Sequence, residues 1–280
     1  MTVKLPKTKR AFTLIELLVV IGIMGILAAI TVPAFNSIKK GDATLAATRQ
    51  LLDDVGFARQ LAISGRSTVY MIFVPENFWS DPAYDRLSLV PKPTYPPTEI
   101  EKSHKLYDKQ LTGYTFVTLR SVGEQPGRST PRYLTPWHTL PEGTFIALSK
   151  FGPRNLSVSL NDPSINRYYD IYGFSITNNI PFPSEGAAQV GGPYVTLPYI
   201  AFNFLGQLTQ DGVNPTRQDE FIPLARGAVL YARDVAKVPV ASVPDASERP
   251  PGNSTNAFNL IHIDWLTGRA RVERQEISGL

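Results

Sequence analysis

The sequence predicts an α+β protein, one long N-terminal helix followed by a mostly antiparallel sheet. Three observations lead there. A helical pattern runs from Phe12 to about Ser64, short β-branched and aromatic runs separated by turn residues fill the rest, and no second helix is apparent. With 280 residues, 43% of them hydrophobic, the chain can bury a sizeable core and is not of disordered composition. The absence of cysteine excludes a disulfide framework, a thiolate metal site and a cysteine nucleophile.

The formal charge of +4 points first to nucleic acid or anionic lipid. Its distribution points elsewhere. Lys4, Lys7, Lys9 and Arg10 lie in a leader without acids, and removing these 4 from the 28 Lys+Arg leaves 24 against 24 Asp+Glu. The remainder is formally neutral, so a nucleic-acid partner is not favoured.

The first element is the run FTLIELLVVIGIMGILAAITVPAF, residues 12–35, whose one charge is Glu16. A bilayer core takes roughly 20 mostly apolar residues in a helix, so this run is long enough to span. The basic cluster before it stays cytoplasmic, and the chain after Pro33 is sent across. Two other readings compete: a buried core helix, and an ordinary cleavable signal peptide. No small-x-small cleavage site comes after the run. Glu16 is also out of place there, because a carboxylate within a membrane segment costs at least about 2–3 kcal/mol on insertion scales unless it is paired.

Residues Ala11-Phe12-Thr13-Leu14-Ile15-Glu16-Leu17-Leu18-Val19-Val20-Ile21 resemble the cleavage and methylation motif of type IV prepilins and type II secretion pseudopilins. The resemblance implies that a prepilin peptidase cuts between Ala11 and Phe12 and methylates the new amino terminus. Glu16 then becomes the fifth mature residue, where the family carries its Glu. Gly25 and Pro33 fall where pilins often carry a helix-loosening Gly and a kinking Pro. Ala11 departs from the Gly usual before the cut, which bears on how efficiently the chain is processed. Physically, cleavage frees a cationic amine on Phe12, and in a staggered bundle the Glu16 carboxylate of one subunit can face the Phe12 amine of a neighbour. Methylation keeps that charge. Repetition of such a head-to-tail contact builds a helical filament rather than a ring. The competing account is a Glu16 side chain snorkelling to the headgroups.

Beyond Pro33 the pattern becomes amphipathic. Ile38, Leu45, Leu52, Val55, Ala58 and Ala62 recur at threes, fours and sevens with charged residues between them, and Gly65 provides a stop. The whole helix would be kinked and roughly 80 Å long at about 1.5 Å per residue.

Expected strands are 68–74, 86–90, 114–120, 144–148, 199–205, 220–224, 228–233, 260–265 and 269–274. Turns are expected at Leu205-Gly206-Gln207, Arg226-Gly227 and Thr267-Gly268. Leu140-Pro141-Glu142-Gly143, Ile200–Gly206 and His262–Val272 resemble segments of the GspH/FimT-type branch of the pseudopilins. Prolines, including Pro91, Pro93, Pro96 and Pro97, mark 76–139 and 149–198 as insertions decorating the sheet. Trp79, Tyr95, Trp137, Tyr168 and Tyr169 are candidates for a binding surface, with core packing the simpler account.

Catalytic chemistry is not legible. His104, His138 and His262 lack metal-ligand spacing, and there is no G-x-S-x-G, H-E-x-x-H or P-loop. Asp81, Asp85 and Glu99 are a weak calcium cluster matching no loop motif, and Asn155 and Asn253 head glycosylation-type tripeptides. No catalytic residue, metal or cofactor is predicted.

The expected organisation is a leader (1–11), a transmembrane and fibre-core helix (12–35), an amphipathic helix (36–65) and a periplasmic β-rich head (66–280). By resemblance, the partners are the prepilin peptidase/methyltransferase, other pilin or pseudopilin subunits and an inner-membrane assembly platform. The chain would be a non-enzymatic minor subunit of a type II secretion-like or type IV pilus-like fibre. Kept beside it are a ligand-binding minor pilin (an adhesin or DNA-uptake subunit) and a membrane-anchored or secreted hydrolase with an ordinary signal peptide.

Overall fold

The computed structural model describes residues 14–81, 104–120, 130–155, 157–162, 167–181 and 194–274; for 28–42, 177–179, 181 and 194 it describes the backbone alone. The chain divides into two units, Met1–Asp42 and Ala43–Leu280. Helix α1 runs from Leu14 to Gly65, and its helical assignment passes through Gly25 and Pro33 without a break.

In the second unit α1 buries one stripe, Ala47, Leu51, Val55, Ala58 and Ala62, each fully enclosed. The spacing of threes and fours keeps these residues on one side of the helix. Leu45, expected on the stripe, is exposed, and Leu52 is partly buried. At about 100° per residue Leu45 sits roughly 200° round the helix from Ala47, so the two cannot share a face. Small side chains fill most of the stripe and let the sheet come close.

The helix ends with Ser67 N–H bonded to Ala62 O (3.2 Å) and Arg66 N–H to Ile63 O (3.3 Å). This is the Schellman pattern. The residue in the left-handed conformation is Arg66, with φ +46°, rather than the Gly65 that the sequence offers as a stop.

Among the described residues the larger sheet has seven strands, all paired antiparallel. β1 (Val69–Phe73) lies between β2 (Gly113–Thr118) and β9 (Tyr194–Phe202). β3 (Arg132–Tyr133) and β4 (His138–Thr139) pair with β2, while β8 (Ser175–Pro181) and β10 (Leu208–Thr209) pair with β9. One face, with Val69, Met71, Phe73, Tyr114, Phe116, Ile200 and Phe202, joins the cluster around α1. The other, with Ile72, Val117, Leu197 and Tyr199, is covered by Phe78, Leu106, Tyr107 and Trp137. Burial on both faces explains why residues 69–74 read as a continuous apolar run rather than an alternating one.

The second sheet is built on β11 (Glu220–Leu230), which pairs with β13 (Asn259–Ile263), β5 (Thr144–Ile146) and β12 (Asp245–Glu248); β14 (Ala270–Arg274) pairs with β13. β6 (Ser157–Asp162) and β7 (Arg167–Tyr172) form a separate hairpin. Between the partners β13 and β12, the short helix α2 (Asn253–Asn256) fills the gap. There the Asn253 side chain accepts from Arg226 N–H and donates to Arg226 O, both at 2.8 Å, in place of a strand.

Several expectations need correction. Residues 220–224 and 228–233 are not two strands divided by a turn at Arg226-Gly227, because β11 passes straight through. Gly227 serves close approach: a Cβ there would lie 1.9 Å from Ser247 O of β12. The strand expected at 199–205 begins at Tyr194 and ends at Phe202, and the segment after β5 is a 3-10 turn, Leu148–Phe151. The 76–139 region is more than decoration, since it supplies the inner strand β2 and the layer covering the second face. Within 149–198 the strands β6, β7 and β8 were not anticipated. Residues 86–90 lie outside those described.

Gly227→Ala is expected to force β12 away from β11 and lower stability by about 1–3 kcal/mol, the usual cost of overpacking. Chemical denaturation measures it, and an unchanged midpoint would mean that the close approach is not a constraint.

Candidate functional site

The processing residues Ala11 and Phe12 lie outside the described residues, whereas Glu16 lies in the first turn of α1. From Leu14 to Leu27 every residue of that helix is exposed, Leu14 at 82% and Met24 at 65%. Apolar residues occupy all sides of the helix here, not one stripe. A Cβ added at Gly22 or Gly25 would meet nothing within 4 Å. Exposed apolar surface of this extent marks an interaction surface, and a helix apolar all round is one that ends up buried. Among the described residues no helix is long and apolar enough to cross a membrane. The exposed run whose side chains are described covers only part of residues 12–35.

In the second unit the notable polar groups lock α1 and the sheets together. Asp54 accepts from Tyr114 Oη (2.5 Å) and lies 2.9 Å from His138 Nδ1. Gln50 donates to the Tyr114 oxygen at 2.8 Å and to Thr139 O at 3.1 Å. Burial and then the bond to Asp54 push the Tyr114 hydroxyl far above its ordinary value, so it stays a neutral donor. Asn259 Nδ2 donates to Thr48 Oγ1 (2.7 Å), and Arg59 Nε to Thr267 O (2.7 Å).

Lys150 is fully enclosed, bonded to Glu220 and to Tyr172 O (2.8 Å), with its ammonium 4.8 Å from the Phe174 ring centre. Burial pulls its pKa below the ordinary value, against the attraction of Glu220. Arg154 Nη1 reaches the other Glu220 oxygen at 3.2 Å. Such a pair is high-stakes, because removing one partner strands a buried charge.

The three histidines have separate fates. His104 stacks on Tyr107, with ring centres 5.3 Å apart. His138 joins Asp54. His262, the strand residue that the sequence led us to expect, sits in β13 between Asp219 (2.8 Å to Nε2) and Glu273 (3.0 Å to Nδ1). The Phe221 ring lies 4.6 Å from its own. Sequence reasoning missed Asp219 and Glu273, although Glu273 stands opposite a neighbour of His262 in the register, across from Leu260.

Among the described residues no group of His, Asp and Glu is placed to hold a metal ion. Asp85 and Glu99 of the calcium cluster lie outside them, and Asp81 accepts from Thr196 N–H at 2.7 Å. Of the aromatic candidates, Trp137 and Tyr169 are core residues and Trp79 packs against the core, while Tyr168 is exposed; Tyr95 lies outside the described residues. Asn155 is exposed, whereas Asn253 is buried and its amide is committed to the backbone, which removes it as a glycan acceptor.

Burial works to raise Glu273, yet the bonds from His262 and Arg271 hold it below its ordinary value of 4.5. A carboxylate depressed on folding contributes stability that is present above its unfolded value and lost as pH falls through the folded one. Glu273→Gln is therefore expected to be less stable than the native chain at pH 7. The difference should narrow as pH drops below 4.5, as read by melting midpoints across that range. A constant difference would contradict the assignment.

Residues 6–32 match the family model described as the prokaryotic N-terminal methylation motif. Neither the curated proteins nor the solved structures compared with the chain give a match. The matched span contains Ala11, Phe12, Glu16 and Gly25 and stops just before Pro33. The motif thus marks the start of this chain as that of a type IV prepilin-like precursor, the kind processed by a prepilin peptidase and assembled with other pilin subunits.

Proposed function

We propose that the chain is a minor pseudopilin or minor pilin, a structural subunit of a type II secretion-like or type IV pilus-like fibre. The observation that carries this reading is the coincidence of the methylation motif at 6–32 with a helix whose apolar surface is exposed all round from Leu14 to Leu27. In the precursor that helix, extended through residues 12–35, anchors the chain once in the inner membrane, with the basic leader cytoplasmic and the head periplasmic. The prepilin peptidase cuts between Ala11 and Phe12 and methylates Phe12. The assembly platform then moves the subunit from lipid into the fibre, where neighbouring helices replace the lipid around the same side chains.

Glu16 supplies the register. Beside the Phe12 amine of the next subunit its carboxylate and that amine neutralise each other, and a displaced subunit leaves both charges in apolar surroundings. Gly25 and Pro33 loosen and bend the helix for packing. A head of this size suits a rare subunit better than the close repeat of a major one. The motif's family is structural rather than enzymatic, in keeping with a subunit that catalyses nothing.

Glu16→Ala is expected to leave cleavage intact and to reduce recovery of the subunit in sheared, purified fibres by about tenfold or more, since one lost pairing in apolar surroundings exceeds roughly 1.4 kcal/mol. Wild-type recovery would contradict the pairing. Ala11→Trp is expected to leave the precursor uncut in the membrane fraction. A mature mass identical to that from the native chain would place the cut elsewhere.

A further inference from the structure

A cavity of about 590 Å³ opens in the head between the Leu140–Phe145 segment and the far half of β11 with the residues after it, Gly227–Arg233. That volume is in the range of small-molecule sites, roughly 300–1,000 Å³. Leu140-Pro141-Glu142-Gly143, prominent in the sequence but with no part in fibre assembly, forms one wall.

Two lining residues carry buried polar atoms without a hydrogen-bond partner, Asp108 Oδ1 and Thr144 Oγ1. Thr144 is only 3% exposed, and its backbone is committed to β11 opposite Arg226 while its hydroxyl is unused. Each buried polar atom left unmade costs about 1–3 kcal/mol, and folded proteins keep few of them. Finding two on the walls of one cavity locates where a ligand's polar atoms land.

The surrounding groups define that ligand. Tyr231 Oη donates to Gln110 O (3.0 Å) and stands 3.2 Å from Thr112 Oγ1. With its proton committed, the phenol offers the cavity a lone pair. Burial raises its pKa, Thr112 lowers it and the Asp108 charge raises it, with a net rise that keeps it neutral. Asp108 likewise accepts. Charge on the walls nearly cancels: Asp108 and Glu142 are offset by Arg233 and by Lys109, whose ammonium lies 3.1 Å from the lining hydroxyl of Thr139. An ion gains little from such a site. A ligand with several hydroxyls does, because each hydroxyl donates to Asp108 or Tyr231 and both donates to and accepts from threonine. Leu140 and Val229 add apolar wall for the C–H face of a ring.

We propose that this cavity binds a neutral, polyhydroxylated ligand of the saccharide class, with Asp108 and Thr144 as its principal hydrogen-bonding partners. The proposal does not rest on fibre assembly, and a chain that never enters a fibre can still bear it out.

The test uses the full chain in lauryldimethylamine oxide, a detergent without a sugar headgroup. Glucose, N-acetylglucosamine and maltose are titrated separately and read by saturation-transfer NMR and calorimetry. At least one is expected to bind with a Kd below about 10 mM. Asp108→Asn and Thr144→Val are each expected to weaken it about tenfold, the effect of one lost hydrogen bond to a buried group. Thr144→Val is expected to keep or raise the melting midpoint, because the hydroxyl it removes is unpartnered. If it fails to fold, Asp108→Asn decides alone. Absence of binding by all three sugars, as for a cavity holding only water, would overturn the proposal. So would binding that Asp108→Asn leaves unchanged.

Discussion

A helix with apolar residues on every side cannot be left in water, and this constraint governs the N-terminal part of the molecule. From Leu14 to Leu27 the α1 surface is apolar and exposed all round, so something outside this chain must cover it. From Ala47 to Ala62 the same helix is apolar on one stripe only, and that stripe is enclosed by the head. The change in pattern along one element separates two tasks. The N-terminal stretch is made to meet other molecules, and the later stretch is made to hold this one together.

The head is secured to its helix by more than apolar contact. Small side chains on the stripe bring the larger sheet close, and polar bonds then fix the register: Asp54 with Tyr114 and His138, Thr48 with Asn259, Arg59 with Thr267. Gly268 lets the last hairpin approach, since a Cβ there would sit 2.0 Å from Gly206 O. Deeper in the head, Lys150 and Glu220 form a buried ion pair whose worth lies in what its loss would leave unpaired. Such a pair favours one arrangement of the 3-10 turn, β7 and β11 over its neighbours.

The parts that rest on local pattern were legible in the sequence. The α+β order, β1, the β13–β14 hairpin with its Gly268 turn, and the Ala58 and Ala62 stripe all come from periodicity and turn chemistry. The readings that failed concern partners far along the chain. Gly227 looked like a turn because glycine often is one, yet its need arises from Ser247, which no local window contains. Pro-rich stretches read as loops, although β8 closes with Pro181 and β9 holds Pro198 opposite Ile176. Buried Lys150 and the acids flanking His262 were invisible because charged residues are ordinarily assigned to the surface. At the candidate assembly site the reverse holds. A motif of contiguous residues was readable from the sequence, and the structure adds the exposure of the helix that carries it.

The role proposed for the N-terminal helix depends on where the mature chain begins, which mass spectrometry of its N-terminus from the native membrane fraction measures directly. The predicted result is a chain starting at N-methylated Phe12, with residues 1–11 removed and Glu16 placed for a neighbour's amine. An intact Met1, or a terminus beyond about Ile30 as for an ordinary signal peptide, would contradict it.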